Sequence, residues 1–291
     1  MHTTVLITGA TGTVGREVVI QLSMLEGDIR VRAGVHSLIK GENLKRLPGV
    51  EIVEMDFESQ ASLHAAFTHA DKLFLITPST KYQVDMSRTL VDEAKKKGVK
   101  HIVKLSGIGA DEEHGIEMAR WHTAIEQYIV ASGIPYTFLR SAAFMQNFAN
   151  YDAESIKNEG KLYQPLGEGR VAYIDVRDIA AVGVEVLTGS GHEGKAYELT
   201  GPEALSNYDV AHILSEVTGK QVAYVDVPEE AARQAMLQQQ QPAWMADALL
   251  ELNRMYKAGG SSKVTDTVRQ ITGRAPRSFR QFAEDYRECF V

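Results

Sequence analysis

The chain has 291 residues, with 31 Lys and Arg against 38 Asp and Glu, a formal net charge of −7 and 44% apolar residues. That is enough chain to bury a core without covalent staples, and a single cysteine, Cys289, excludes a disulfide framework and fits a reducing, cytoplasmic setting. The acidic balance argues against a nucleic-acid binder, no run approaches the ~20 apolar residues of a membrane span, and the opening MHTTVLITGA lacks the pattern of a secretion signal.

In chain order, Val5–Thr8 is a continuous apolar strand that runs into glycines and then a helix with Val14, Val18, Val19 and Leu22 on one side. Ile29, Val31, Ala33 and Val35 alternate as a second strand, Ile52–Met55 is a third and Leu73–Ile76 a fourth. Helices are predicted near 59–68 and 84–97, the second closing on Lys95, Lys96, Lys97 and Gly98 as the helix dipole favours. His101–Leu105 is a fifth strand, a helix covers about 116–131, and Tyr136–Arg140 is a sixth strand. Strand–helix alternation at this spacing predicts an α/β fold with a doubly wound, parallel sheet.

The second half is less regular. Residues 142–158 read as helix, 161–164 and 170–174 as short strands, 175–187 as helix, and Ala196–Leu199 as a seventh strand returning to the sheet. Ser206–Asp209 has the form of a capping box for a helix ending at Gly219, Gln221–Val227 is a strand, and the remainder is mostly helical. The expected organisation is a nucleotide-binding domain over 1–150, to which the chain returns at about 171–200, and a smaller, interwoven α/β lobe over 151–291 on the substrate side.

Thr8-Gly9-Ala10-Thr11-Gly12-Thr13-Val14-Gly15 sits where the first strand meets the first helix. A dinucleotide site needs glycine there for the tight turn, for backbone approach to the pyrophosphate and for helix–strand packing, and the helix N-terminus then offers N–H groups to the anion. Gly9, Thr11, Gly12, Val14 and Gly15 are therefore cofactor candidates, and no Gly-Lys-Ser/Thr follows that would make a mononucleotide loop. At the end of the second strand stand His36, Ser37 and Lys40 rather than the carboxylate that binds the ribose hydroxyls of NAD. All three can donate to a 2′-phosphate, which favours NADP(H) over NAD(H). Asp56 and Phe57 follow the third strand, where a carboxylate can accept from an adenine amino group or serve a turn. Thr77, Pro78 and Ser106 lie at the carboxyl edge of the sheet, where ligands of such folds bind.

These residues carry a family resemblance. The stretches TGATGTVG, VHSLIKG, MDFES, KLFLITP, VKHIVKLSGIGA, IPYTFLRSAAFMQN, DVRDIA and KAYELTGPEALS, spread over roughly 5–220, resemble the NmrA-like family of atypical short-chain dehydrogenases/reductases. The resemblance implies a Rossmann-type fold and is strongest to bacterial NAD(P)H-dependent quinone, azo-dye and triphenylmethane reductases. It also places Ala143 and Phe144 beside the nicotinamide, and Phe144, Met145 and Asn147 against a planar organic acceptor, although helix packing is an equal reading for that segment.

Typical superfamily members carry Tyr-x-x-x-Lys on the helix after the fifth strand; here those positions hold Met118 and His122. Methionine cannot transfer a proton, whereas His122 can hydrogen-bond a ribose or act as an acid, and it shares a helix face with Glu126, with which it is expected to pair. Quinones, azo bonds and cationic dye carbons take hydride readily, and the reduced oxygen or nitrogen can collect its proton from water, so a reductase of such acceptors survives the missing tyrosine. The alternative is a non-enzymatic NAD(P)-binding redox sensor acting through a protein partner, and a sugar-nucleotide epimerase is disfavoured because it needs the tyrosine. Trp244 and Met245 read as packing rather than a lid, Arg140, Asp175 and Asp178 as structural anchors, and the nine histidines show no metal-ligand spacing. Homo-oligomerisation is left open by the sequence.

Overall fold

Val5, Leu6 and Ile7 are each at most 1% exposed, which is what a strand covered on both faces requires. In the computed structural model, which describes residues 3–110 and 115–291, they form β1 (Thr3–Ile7), an interior strand of a seven-stranded parallel sheet. Its other strands are β2 (Ile29–Val35), β3 (Val50–Glu54), β4 (Lys72–Leu75), β5 (His101–Gly107), β6 (Tyr136–Ser141) and, after the short β7 (Lys161–Gln164) and β8 (Arg170–Val171) elsewhere, β9 (Lys195–Leu199). The order is β3-β2-β1-β4-β5-β6-β9, so the direction of winding reverses between β1 and β4, the place where such sheets open a ligand crevice.

The chain divides into two units, and each is drawn from several segments. The first comprises Met1–Glu112, Trp121–Arg140 and Val176–Glu198. Helix α1 (Thr13–Ser23) buries Val14, Val18, Val19 and Leu22, and it packs on a later helix of the same unit, Val176–Thr188. Between them come α2 (Leu38–Gly41), α3 (Gln60–Ala66), α4 (Gln83–Lys96) and α5 (Glu117–Ser132). One core of this unit gathers Leu6, Leu63, Phe67, Leu73, Leu90, Ile102, Ile125, Ile129 and Phe138.

The second unit comprises Glu113–Arg120, Ser141–Asp175 and Leu199–Val291. It contains α6 (Ala153–Glu159), and, after the first unit's α7 (Val176–Thr188), α8 (Asn207–Thr218), α9 (Glu229–Gln238), α10 (Ala243–Lys257), α11 (Thr267–Thr272), α12 (Phe279–Asp285) and α13 (Arg287–Phe290). Two short sheets accompany them: β7 pairs in parallel with β11 (Ala223–Asp226), and β8 antiparallel with β10 (Leu205–Ser206). Its core is aromatic, with Phe148 edge-on to both Tyr173 and Phe279 at centroid distances of 5.1 and 5.2 Å. The expected capping box is present on α8, where Ser206 and Asp209 bond reciprocally, and Gly219 ends that helix at φ 74°.

The first unit's second segment closes at Arg140 and its third spans Val176–Glu198. One expectation is corrected. Residues 142–145 are not helical, because the Met145 N–H donates to Ile174 and the Ile174 N–H to Ala143, each at 2.9 Å, which captures this stretch in a bridge; the helical conformation starts at Gln146. A π-helical turn, Phe148–Asp152, follows and leads into α6. Among the described residues no helix is long and apolar enough to cross a membrane.

Candidate cofactor and catalytic site

The glycine turn has the local physics expected of an anion cradle. Gly9 takes φ +60°, which turns the chain out of β1, and Gly12 is the N-cap of α1 with its N–H donating to Gly9 O at 2.9 Å. No side chain caps α1 and no acidic residue lies in its first turn, so its N-terminal N–H groups and positive dipole end are offered outward. Thr11, Gly12 and Thr13 are exposed, whereas Val14 and Gly15 are buried; Val14 joins the core, and Gly15 lets the helix lie on the turn. Beneath them the buried Thr8 Oγ1 donates to Ile76 O at 2.6 Å and accepts from the Ile76 N–H at 2.7 Å, tying β1 to the chain leaving β4. The donor set suits a pyrophosphate.

The remaining candidates of the first unit take different positions. His36 and Lys40 are exposed, and Ser37 is the half-buried N-cap of α2 with no capping bond of its own. Asp56 Oδ1 accepts from the Glu58 N–H at 3.0 Å, a turn bond that commits one carboxylate oxygen locally, while Phe57 packs against the first unit's core. Thr77 Oγ1 lies 3.1 Å from the buried Ser87 Oγ, and Pro78 is exposed.

Beyond β5 the side chains form a connected polar cluster. Lys104 and Ser106 are two residues apart on the strand and share a face; His122 and Glu126 are one turn apart on α5. Lys104 Nζ lies in hydrogen-bond contact with His122 Nδ1 at 2.9 Å and donates to Leu105 O at 3.0 Å. Ser106 Oγ donates to Glu126 Oε1 at 2.5 Å, and Arg140 from β6 grips Glu126 with Nη2 at 2.7 Å and Nε at 3.3 Å. The expected His122–Glu126 pair does not form: the Arg140 fork and Ser106 take the carboxylate, and the strand lysine takes the imidazole. Burial and the neighbouring Lys104 hold His122 well below the usual histidine range, so the ring is neutral. Burial also brings Lys104 down to about 7, against the pull of Glu126.

Ser106 is thus a buried holder of Glu126 by its hydroxyl, and Lys104 is a participant that the motif reading passed over. The signal was available, since a lysine inside the apolar run His101–Leu105 has to find a partner or lose its charge.

In the second unit, Ala143, Phe144 and Asn147 are half-buried, while Met145 is 1% exposed and belongs to that unit's core. Gln146 Nε2 donates to the fully buried Asp175 Oδ1 at 2.9 Å, the anchoring role expected of that aspartate. Trp244 and Met245 are half-buried on α10. Among the described residues no group of three or more His, Cys, Asp or Glu could hold a metal ion.

Comparison with known proteins agrees with this architecture. Residues 1–286 match the model of the NmrA-like family. An NAD(P)H azoreductase of Xenophilus azovorans is 41% identical over 286 residues, covering 98% of this chain and 99% of the relative. An NADPH-dependent quinone oxidoreductase of Escherichia coli, solved with NADPH, superposes with a TM-score of 0.86 at 28% identity, covering 99% of this chain and 100% of that one. A triphenylmethane reductase of Citrobacter sp., solved with NADP(H), gives 0.85 at 28% identity, with 98% and 99% covered.

Proposed function

The chain belongs to the NmrA-like family, and from that premise we propose that it is an NAD(P)H-dependent oxidoreductase that passes hydride to a quinone-like, azo or dye-like acceptor. The observation that carries this reading is the exposed turn at Thr11–Thr13, set on the uncapped N-terminus of α1 beside the point where the sheet reverses its winding. Names borne by the relatives, an azoreductase, a quinone oxidoreductase and a triphenylmethane reductase, support the acceptor class.

Thr11, Gly12 and the first N–H groups of α1, including that of Val14, would hold the pyrophosphate, with Gly9 and Gly15 shaping the turn. Asp56 and Phe57 would border the adenine, and Thr77, Pro78, Ser106 and His122 the remainder of the dinucleotide. The proposed preference is for NADPH, supported by His36, Ser37 and Lys40 after β2 and by the lack of a carboxylate between His36 and Gly41. Ala143 and Phe144 as cofactor contacts, and Phe144 and Asn147 as acceptor contacts, rest on the family resemblance. Met145, whose side chain is in the core, would act by packing beneath them.

When bound, the nicotinamide supplies the hydride. Orientation and a neutral environment are what the protein has to add, because quinone and azo acceptors become anionic at oxygen or nitrogen and take up a proton from water, while a cationic dye carbon is neutralised by the hydride itself. His122, neutral and fixed by Lys104, presents a ring N–H without introducing a base that would compete for that proton.

The test is a fluorescence titration with NADPH and NADH, followed by the absorbance of the reduced nicotinamide in the presence of naphthoquinones and azo dyes. Tight NADPH binding with acceptor-dependent oxidation is expected. Binding without turnover on any acceptor would overturn the reductase reading in favour of a cofactor sensor.

A further inference from the structure

Lys104 is 2% exposed, and its ammonium group makes two hydrogen bonds, to the carbonyl of its neighbour Leu105 and to His122 Nδ1. An ammonium has only protons to give. The ring nitrogen it meets must therefore be the unprotonated one, and the proton of the neutral imidazole must sit on Nε2. That other side of the ring lies over the carboxyl end of β5. A Cβ added at Gly107 would stand 3.1 Å from His122 Cδ2 and 3.5 Å from Nε2, so the imidazole lies close against the bare backbone of Gly107.

We propose that Lys104 is a positioning residue that acts through His122, fixing the imidazole as a neutral Nε2–H donor at the carboxyl end of β5, toward an oxygen of the cofactor ribose or of the acceptor. The inference rests on the reductase reading only for the identity of that oxygen. Two features of the fold maintain the arrangement. Lys104 and Ser106 leave one face of β5 in alternate positions, and His122 and Glu126 meet them one helical turn apart on α5. Glu126 is occupied by Arg140 and Ser106, so the lysine is left to the histidine. The charges acting on Lys104 are Glu126 from α5, which favours its protonated form, and Arg140 from β6, which opposes it. Losing the proton from Lys104 converts an ammonium that can only donate into an amine that can also accept. The tautomer is then no longer enforced, and Nδ1 can carry the ring proton as readily as Nε2.

The experiment is a nitrogen-15 correlation spectrum of the histidine rings of the full chain, without cofactor, from acid to alkaline pH, with His122 assigned by its disappearance in His122→Gln. In the wild-type protein below the Lys104 transition near pH 7, His122 is expected as a single tautomer with Nδ1 unprotonated, becoming mixed above it. Lys104→Met is expected to give the mixed spectrum at every pH. In turnover it should lower kcat/KM roughly tenfold, the worth of one well-made hydrogen bond, and remove the corresponding break in the pH profile. Lys104→Arg, which retains a permanent donor, is expected to keep the single tautomer to high pH. A wild-type spectrum with Nδ1 protonated, or a tautomer unchanged in Lys104→Met, would overturn the proposal. The wild-type spectrum decides it even where a variant does not fold. It also needs no turnover, so a chain that oxidises no NADPH but shows the fixed tautomer would reject the reductase reading and leave this one standing.

Discussion

A side chain on Gly15 would place its first carbon 2.3 Å from the carbonyl oxygen of Gly9, so the helix that opens at Gly12 rests directly on the turn before it. The contact is backbone to backbone and has no flexible atom to move aside. Gly15→Ala is therefore expected to cost about 1–3 kcal/mol, as overpacking does, read as a lowered melting temperature. Gly12→Ala is the contrast: φ is −76° and the nearest atom, Gly9 O, is 3.2 Å from the new carbon. It should melt close to wild type and bind NADPH roughly tenfold more weakly, because the methyl group intrudes where the backbone meets the anion. A Gly15→Ala protein with unchanged melting would show that the helix has room.

Arg140 and Glu126 are 14% and 6% exposed, and their closest approach is 2.7 Å. Removing one partner of a buried pair strands the other. Arg140→Met is expected to destabilise by about 3–5 kcal/mol in urea unfolding, and the double variant Arg140→Met, Glu126→Met to recover a substantial part of that loss. A double variant as unstable as the single one would mean that Glu126 matters through Ser106 rather than through its charge pair.

For cofactor choice, His36→Asp and Lys40→Glu each put a carboxylate where a 2′-phosphate is proposed to lie. NADPH affinity should fall roughly tenfold while NADH affinity changes little, and added salt should narrow the difference. Equal losses for both nucleotides in a fluorescence titration would remove these residues from the phosphate site.

Asp152 ends the π-helical turn of the second unit, its Oδ2 accepting from Gln164 Nε2 at 2.9 Å, and burial raises its carboxyl from 3.8 to about 7. The folded protein thus holds a proton there that the unfolded chain has already lost. That contribution to stability is complete below pH 3.8 and declines as pH rises to about 7. Asp152→Asn should abolish this decline, worth at most ~1.4 kcal/mol per pH unit, and be more stable than wild type above pH 7. Parallel pH profiles of the urea midpoints for the two proteins would contradict it.

The sheet was readable from residues alone because interior strands such as β1 and β4 are almost wholly buried and its helices carry one apolar stripe. Val5–Ile7 and Ile29–Val35 could take few other roles. The stretch after β6 was not readable, since Ala143–Met145 owe their conformation to Ile174, thirty residues away in sequence, and local helix propensity gave no hint of that bridge. At the site, the glycine turn announced itself by spacing. The partner of His122 did not, because two basic side chains in contact are the opposite of what charge patterning suggests, and only burial, which keeps the imidazole neutral, makes the pair tolerable.

The placement of β9 next to β6 has a consequence for synthesis. Once β6 has left the ribosome, its outer edge has no neighbour until residues 142–194 have been made and β9 follows. At ordinary translation speeds that is about 3–10 s, long compared with the time in which a nascent chain samples contacts. For that interval Tyr136–Ser141 is an open template for another nascent copy, so slowing translation across 142–194 should increase co-translational aggregation, whereas slowing it after Leu199 should not.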